Sequence, residues 1–187
     1  MTDPLVTVRP ETGDFGEIFD AYFAEIHRYV ARRLDRDIAD DVAAETFSVA
    51  FGRRDTHDPR RGPVRPWLYG IATNLIAKHR RAEARRLRAM QRLDTGPVLN
   101  TGDEGMLDRL AAEALRPRLA CALAGLSARQ RDVLLLVVLG DLTYEEVAQA
   151  LDIPYGTVCS RFNRARAQVR KTLGGTNPMD MKENPDG

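Results

Sequence analysis

The sequence predicts an all-α protein of two small helical domains, the second carrying a helix-turn-helix, joined by a flexible linker. Three observations support this. Apolar residues recur at helical spacing in several separate stretches, no strand-like alternation occurs, and residues 94–105, DTGPVLNTGDEG, break the pattern midway with Gly, Pro, Asp and Asn. A flexible leader over 1–14 precedes the helical pattern that starts at Phe15, the pattern resumes at Met106 after the linker, and a polar, disordered tail over 175–187 follows.

Taken in order, the leader holds Pro4, Pro10 and Gly13. From Phe15 the residues Ile18, Phe19, Tyr22, Phe23, Ile26, Tyr29 and Val30 mark a first helix. A second runs through IADDVAAETFSVAFGR, with Ile38, Val42 and Val49 on one side. Asp37, Asp41 and Glu45 fall at i, i+4 and i+8 on a neighbouring side, with Asp40 alongside. Such a stripe is either a solvated face or a docking surface. The loop GRRDTHDPRRGPVRP follows, rich in Pro, Gly and Arg.

Trp67 then opens a long helix, with Leu68, Ile71, Ala72 and Leu75 as its inner face. Trp67, Gly70, Asn74, Lys78 and Arg81 form the outer one. Beyond Lys78 the helix is strongly basic, and Glu83 is its single acid up to Arg92. An aromatic residue beside clustered cations suits unstacked bases, which need stacking surfaces as well as charge. After the linker, helical pattern runs from Met106 to about Gly125, with Pro117 as a boundary. Ser127 and Gln130 make a capping box for an apolar helix through Val133, Leu134, Val137 and Val138, ended by Gly140.

The stretch LTYEEVAQALDIPYGTVCSRFNRARAQVRKTL reads as two short helices with a tight turn. Thr143 and Glu146 form a second capping box, and Tyr144, Val147, Ala148 and Leu151 one apolar face. Asp152, a residue that tolerates a left-handed backbone, and Pro154 punctuate the turn. In the next helix Val158, Phe162, Ala165 and Val169 form one stripe, while Thr157, Ser160, Arg161 and Arg164 lie together beside it. Arg166, Arg170 and Lys171 add positive charge. A helix-turn-helix needs this pattern: one helix braces, and the other sets polar side chains on base edges and cations on phosphates.

Composition bounds the alternatives. The 187 residues are 43% hydrophobic and 29% charged, which is globular. The net charge of +1 means that any basic surface is local and offset elsewhere. Two cysteines, Cys121 and Cys159, give no disulfide framework, and three histidines without zinc-like spacing give no metal site. No cofactor is expected, nor an enzyme, since no acid–base or metal cluster is present. The leader has no apolar core for a signal peptide, and the longest apolar run, residues 133–139, is too short for a bilayer. A soluble, cytoplasmic protein without membrane insertion is the expectation.

Three stretches, in this order, resemble the extracytoplasmic-function type of bacterial sigma-70 factors: DDVAAETFSVAFGR, WLYGIATNLIAKHRR and LSARQRDVLLLVVLGDLTYEEVAQALDIPYGTVCSRFNRARAQVR. The resemblance covers roughly residues 15–173. It implies a sigma-2 domain over 15–93 that holds core RNA polymerase and melts the −10 element, a linker over 94–112, and a sigma-4 domain over 113–174 that reads the −35 element as duplex. It implies that Asp40, Asp41, Glu45 and Phe47 meet the polymerase β′ clamp coiled coil, with the β flap a further polymerase contact. Trp67, Asn74, Lys78 and Arg81 match the −10 helix, and the loop over 57–66, with Arg60 and Arg61, matches the segment that captures a flipped-out base. Thr157, Ser160, Arg161 and Arg164 match the −35 recognition helix, with Arg170 further along it. Gly70 stands where members often carry Arg, and Cys159 where Lys or Arg is usual. An anti-sigma factor is a further implied partner.

The competing reading is a stand-alone helix-turn-helix transcriptional regulator. A receiver-linked regulator would need strand-borne acids, and the N-terminal half shows no strands. The near-neutral charge also predicts little specific DNA affinity outside a larger assembly. The Gly/Asp/Pro-rich linker predicts two domains that move nearly independently when free.

Overall fold

The computed structural model describes residues 15–56, 62–91 and 117–174. All regular structure there is helical: α1 (Phe15–Ala31), α2 (Arg36–Gly52), a 3-10 turn (Arg54–Thr56), α3 (Val64–Gln91), α4 (117–124), α5 (Ala128–Gly140), α6 (Tyr144–Leu151) and α7 (Tyr155–Thr172). The all-α expectation holds throughout the described residues. The leader, Arg60 and Arg61, the 94–112 linker, the helical reading of 106–116 and the tail lie outside them.

The helix ends follow local chemistry. Ser127 accepts from the Gln130 amide while the Gln130 side chain accepts from the Ser127 amide, and Thr143 and Glu146 repeat the arrangement. α3 begins three residues before Trp67, because Pro66 fits within a first turn, where its missing donor costs nothing. α5 ends at Gly140, yet the left-handed cap is Asp141 at φ 49°. Gly140 serves another purpose: an added Cβ would lie 2.9 Å from the Tyr69 ring.

α1, α2 and α3 pack as one unit, and α4 to α7 as another. The expected independence of the two differs from the structure. One hydrophobic cluster joins Ile26, Tyr29, Val30, Phe47, Leu68 and Ile76 of the first to Val133, Leu136, Leu142, Val147 and Val158 of the second. The reason lies in α3. Its amphipathic pattern suggests one inner face, but Leu68, Tyr69, Gly70, Ile71, Ala72 and Thr73 are consecutive buried residues. α1 and α2 cover one side of this stretch and α6 another. At Gly70 the α6 backbone comes so close that any Cβ would collide with the Ala150 carbonyl oxygen. Gly70 is therefore a buried point of contact, not part of an outer face.

Polar bonds reinforce the junction. Buried Arg33 donates to Asp132 of α5 at 2.5 Å and to the Tyr29 hydroxyl, which pairs with Thr73 at 2.9 Å. Arg65 donates to Glu25 at 2.7 Å and to the Gly140 carbonyl at 2.7 Å, and lies 3.6 Å from Glu146. Tyr69 donates to the same Glu25 at 2.8 Å. Burial, and then the negative charge of Glu25, push the Tyr69 phenol well above its ordinary range, so it keeps its proton. Burial and the neighbouring charges of Arg33 and Arg131 lower the Arg80 guanidinium. It still donates to the Arg33 carbonyl at 2.7 Å.

A shared core should melt as one body. Trp67, the single tryptophan, sits on α3 and reports the first unit, whereas Val147 lies buried on α6. Val147→Ala should cost about 2 kcal/mol and shift the Trp67 fluorescence transition in urea by the full amount. A Trp67 transition left unmoved while the helical circular dichroism signal splits in two would show independent units.

Candidate nucleic-acid and polymerase interface

The helix-turn-helix is built by α6 and α7. α6 closes on Asp152 at φ 50°, ψ 53°, the left-handed turn expected of that position. Pro154 caps α7 in an extended conformation, and its carbonyl accepts from the Thr157 amide at 2.8 Å and the Val158 amide at 3.2 Å. Val158 and Ala165 are fully buried and Phe162 and Val169 half-buried, which seats α7 against α5 and α6. The same seating turns the neighbouring face outward. Ser160, Arg164 and Arg170 are exposed, and Thr157 and Arg161 half-buried. Ser160 donates to the Thr157 carbonyl at 3.1 Å, fixing its hydroxyl on the helix surface. Tyr155, half exposed at the helix start, was absent from the sequence-based set, although its position ahead of Thr157 was the signal.

Along α3 the candidates separate. Trp67 is half-buried against the core, whereas Asn74, Lys78 and Arg81 follow on one exposed line. Arg81 donates to the Ala77 carbonyl at 3.1 Å. Lys78 lies 3.3 Å from Glu45 of α2, and both are well exposed. One side chain of the candidate DNA surface thus pairs with one of the acidic stripe. Exposed pairs of this kind are weak, so either partner is readily released.

The stripe itself is open. Asp40, Asp41 and Glu45 are exposed, and Asp40 holds His27 at 2.6 Å. Phe47 differs from these three in burial. It is only 3% exposed, with Phe15, Phe19 and Phe23 rings 6.5, 5.0 and 5.6 Å from its own. Helical spacing explains this: Thr46, Phe47 and Ala50 share the α2 face turned toward α1 and α3. The aromatics that reach solvent there are Phe19 and Phe51, 39% and 51% exposed. Their i, i+4 spacing with Phe15, Phe23 and Phe47 was the signal that sequence reasoning passed over. Among the described residues no group of His, Cys, Asp and Glu could hold a metal ion, and no helix is long and apolar enough to cross a membrane.

Comparison with known proteins decides what this arrangement is. Residues 18–86 match sigma-70 region 2, and residues 116–169 match sigma-70, region 4. Over 171 residues the chain is 30% identical to the ECF RNA polymerase sigma factor SigW of Bacillus subtilis, covering 85% of this chain and 88% of that one. The chain belongs to the extracytoplasmic-function sigma factors. It is also 32% identical over 157 residues to the ECF sigma factor SigC of Mycobacterium tuberculosis, covering 84% and 80%. In fold it is similar to the sigma factor RpoE of Bartonella quintana, solved with the anti-sigma factor NepR, at a TM-score of 0.61 and 22% identity over 86% of this chain and 96% of that one. As a sigma factor it directs promoter-specific transcription, and the stand-alone regulator reading is not favoured.

The left-handed turn at Asp152 restricts which residues this sigma factor's helix-turn-helix accepts there. Asp152→Gly should be neutral or slightly stabilising, because Gly carries no Cβ penalty at positive φ. Asp152→Val should cost about 1–2 kcal/mol, read as a lowered thermal midpoint. Equal midpoints for the two variants would contradict the turn geometry.

Proposed function

We propose that the first unit, over 15–93, docks on core RNA polymerase and melts the −10 element, and that the second, over 113–174, reads the −35 element as duplex. The observation that carries the reading is the outward face of α7 on a well-packed helix-turn-helix. Thr157, Ser160 and Arg161 sit in its amino-terminal half, where a recognition helix meets base edges. Arg164 and Arg170 lie further along, suited to phosphates. Asn74, Lys78 and Arg81 of α3, with Trp67 at the head of their line and Arg60 and Arg61 in the preceding loop, contact the −10 strand. Flipping a base into that loop costs a few kcal/mol, which its contacts must offset.

Asp40, Asp41 and Glu45 form the polymerase-docking stripe, on the β′ clamp coiled coil, with Phe47 supporting it from within. The second unit would add a contact to the β flap. The protein works as a binding subunit in the cytoplasm, not as an enzyme and without a cofactor. Its net charge of +1, with basic patches balanced by the stripe, supports weak DNA binding outside holoenzyme. The relative solved with an anti-sigma factor supports a partner of that kind here as well.

Two substitution sets test the assignment. Asp41→Lys with Glu45→Lys should abolish capture of core polymerase while leaving helix content unchanged, and undiminished capture in a pull-down would sink the docking role. Arg161→Ala should cost about 1–3 kcal/mol of promoter discrimination. Arg170→Ala should weaken binding evenly across sequences and lower the salt slope by about one. Normal run-off transcription with Arg161→Ala, together with its loss in Arg170→Ala, would reverse the two roles.

A further inference from the structure

A cleft of about 330 Å³ opens where the end of α1, the turn into α2 and the middle of α3 meet. That volume is within the range of sites that hold small molecules. Arg32, Arg33, His79 and Arg80 line it, together with the carboxylates of Asp35 and Glu83. On α3, His79, Arg80 and Glu83 stand roughly 100–200° around the helix from Lys78, at about 100° per residue. The line of Asn74, Lys78 and Arg81 therefore leaves this face unused. By formal charge the cleft is nearly balanced, so depth decides what it prefers. Asp35 and Glu83 are exposed, where water and salt screen them, whereas Arg33 is buried and Arg80 half-buried. Arg33 gives its two terminal nitrogens to Tyr29 and Asp132, and its Nε is a buried donor without an acceptor among the described residues. Such orphan donors are rare in folded proteins. Arg80 donates to the Arg33 carbonyl but forms no ion pair among the described residues. Its guanidinium is lowered by burial and by the charges of Arg33 and Arg131, an effect that a nearby anion reverses. Asp35, the residue that precedes α2, makes no capping hydrogen bond, so the positive end of that helix has no side-chain acceptor from its cap.

We propose that this cleft binds the phosphate group of a small hydroxylated phosphate ester, a sugar phosphate or a mononucleotide. Arg32, at the end of α1, and Arg80, on α3, hold the phosphate oxygens through charge-assisted hydrogen bonds. The buried charge of Arg33 adds to the field in the cleft, and His79 offers a further hydrogen bond. Asp35 and Glu83 accept only when ionised, so they repel a free anion but receive the hydroxyl protons of an attached sugar. Cations at depth with exposed acids beside them thus select an ester over inorganic phosphate. A phosphate of the promoter backbone is the competing occupant. It is disfavoured because the cleft faces away from the Lys78 and Arg81 line and is concave on the scale of a small molecule. Binding is reversible and no group is transferred.

The test is calorimetric titration of the full chain with ribose 5-phosphate, AMP and inorganic phosphate, with adenosine as the phosphate-free control. Both esters should bind about tenfold more tightly than inorganic phosphate, and adenosine should not bind. Arg80→Met and Arg32→Gln should each weaken the esters about tenfold, through loss of one charge-assisted contact. Arg85→Gln removes an exposed cation of α3 that does not line the cleft, and it should leave the affinity unchanged. Arg32 is exposed and makes no side-chain bond among the described residues, so its variant keeps the test open if Arg80→Met loses helix content. Bound ester should also raise the thermal midpoint of the wild type and not of Arg32→Gln. No heat with either ester, or an equal loss in Arg85→Gln and Arg32→Gln, would overturn the site. Inorganic phosphate binding as tightly as the esters would overturn the ester assignment. Stoichiometric displacement of AMP by a −10 oligonucleotide would overturn it in favour of the promoter backbone.

Discussion

The burial of α3 from two opposite sides is the constraint on which the rest of this structure depends. A helix covered on one face tolerates almost any polar residue on the other. Covered by α1 and α2 and again by α6, the stretch from Leu68 to Thr73 must be apolar or internally bonded all round. Its two polar side chains comply: Thr73 pairs with Tyr29, and Tyr69 with Glu25. The same demand removes the side chain at position 70. The burial ends past Ile76, so that Lys78 and Arg81 emerge into solvent on the basic half of the helix. One helix is thus core at its start and charged surface at its end.

That division of labour extends to the charged groups. Arg33 and Arg65 are spent on the junction, each holding acids and a carbonyl or hydroxyl of other elements. Among the described residues no bond of that kind is made by the cations of α7, which is seated by Val158, Ala165 and their half-buried neighbours. Apolar residues seat α7, and its polar face stays turned outward. On α2 the stripe of Asp40, Asp41 and Glu45 is similarly supported from beneath, by a packed face of Ala39, Ala43, Thr46, Phe47 and Ala50.

Local chemistry was legible in the sequence. Both capping boxes, the left-handed Asp152, Pro154 ahead of α7 and the α7 stripe stand in the structure as the residue types dictate. Each depends on neighbours within four positions. What the sequence did not disclose depends on residues far apart. Arg33 and Asp132 are 99 positions apart, and nothing in either segment announces the other. The α2 face is built of small residues, which carry a weak apolar signal, so the burial of Phe47 beneath the acidic stripe had no local marker. Gly70 read as a gap on an outer face because its reason for existing lies on α6. The composition of residues 94–105 predicted independent units, but it carries no information on the apolar surface that the two units bury against each other.

The contrast in burial among the ion pairs makes ionic strength an unequal lever on the molecule. Lys78 and Glu45 meet in solvent, with side chains 70% and 47% exposed, where counterions dissolve such a pair. Arg33 and Asp132 are 2% and 20% exposed, beyond much of that screening. Contacts to DNA phosphates are the most salt-sensitive of all, because each displaces counterions condensed on the duplex. Rising salt therefore loosens the sigma factor from promoters while leaving the seam between its halves nearly untouched.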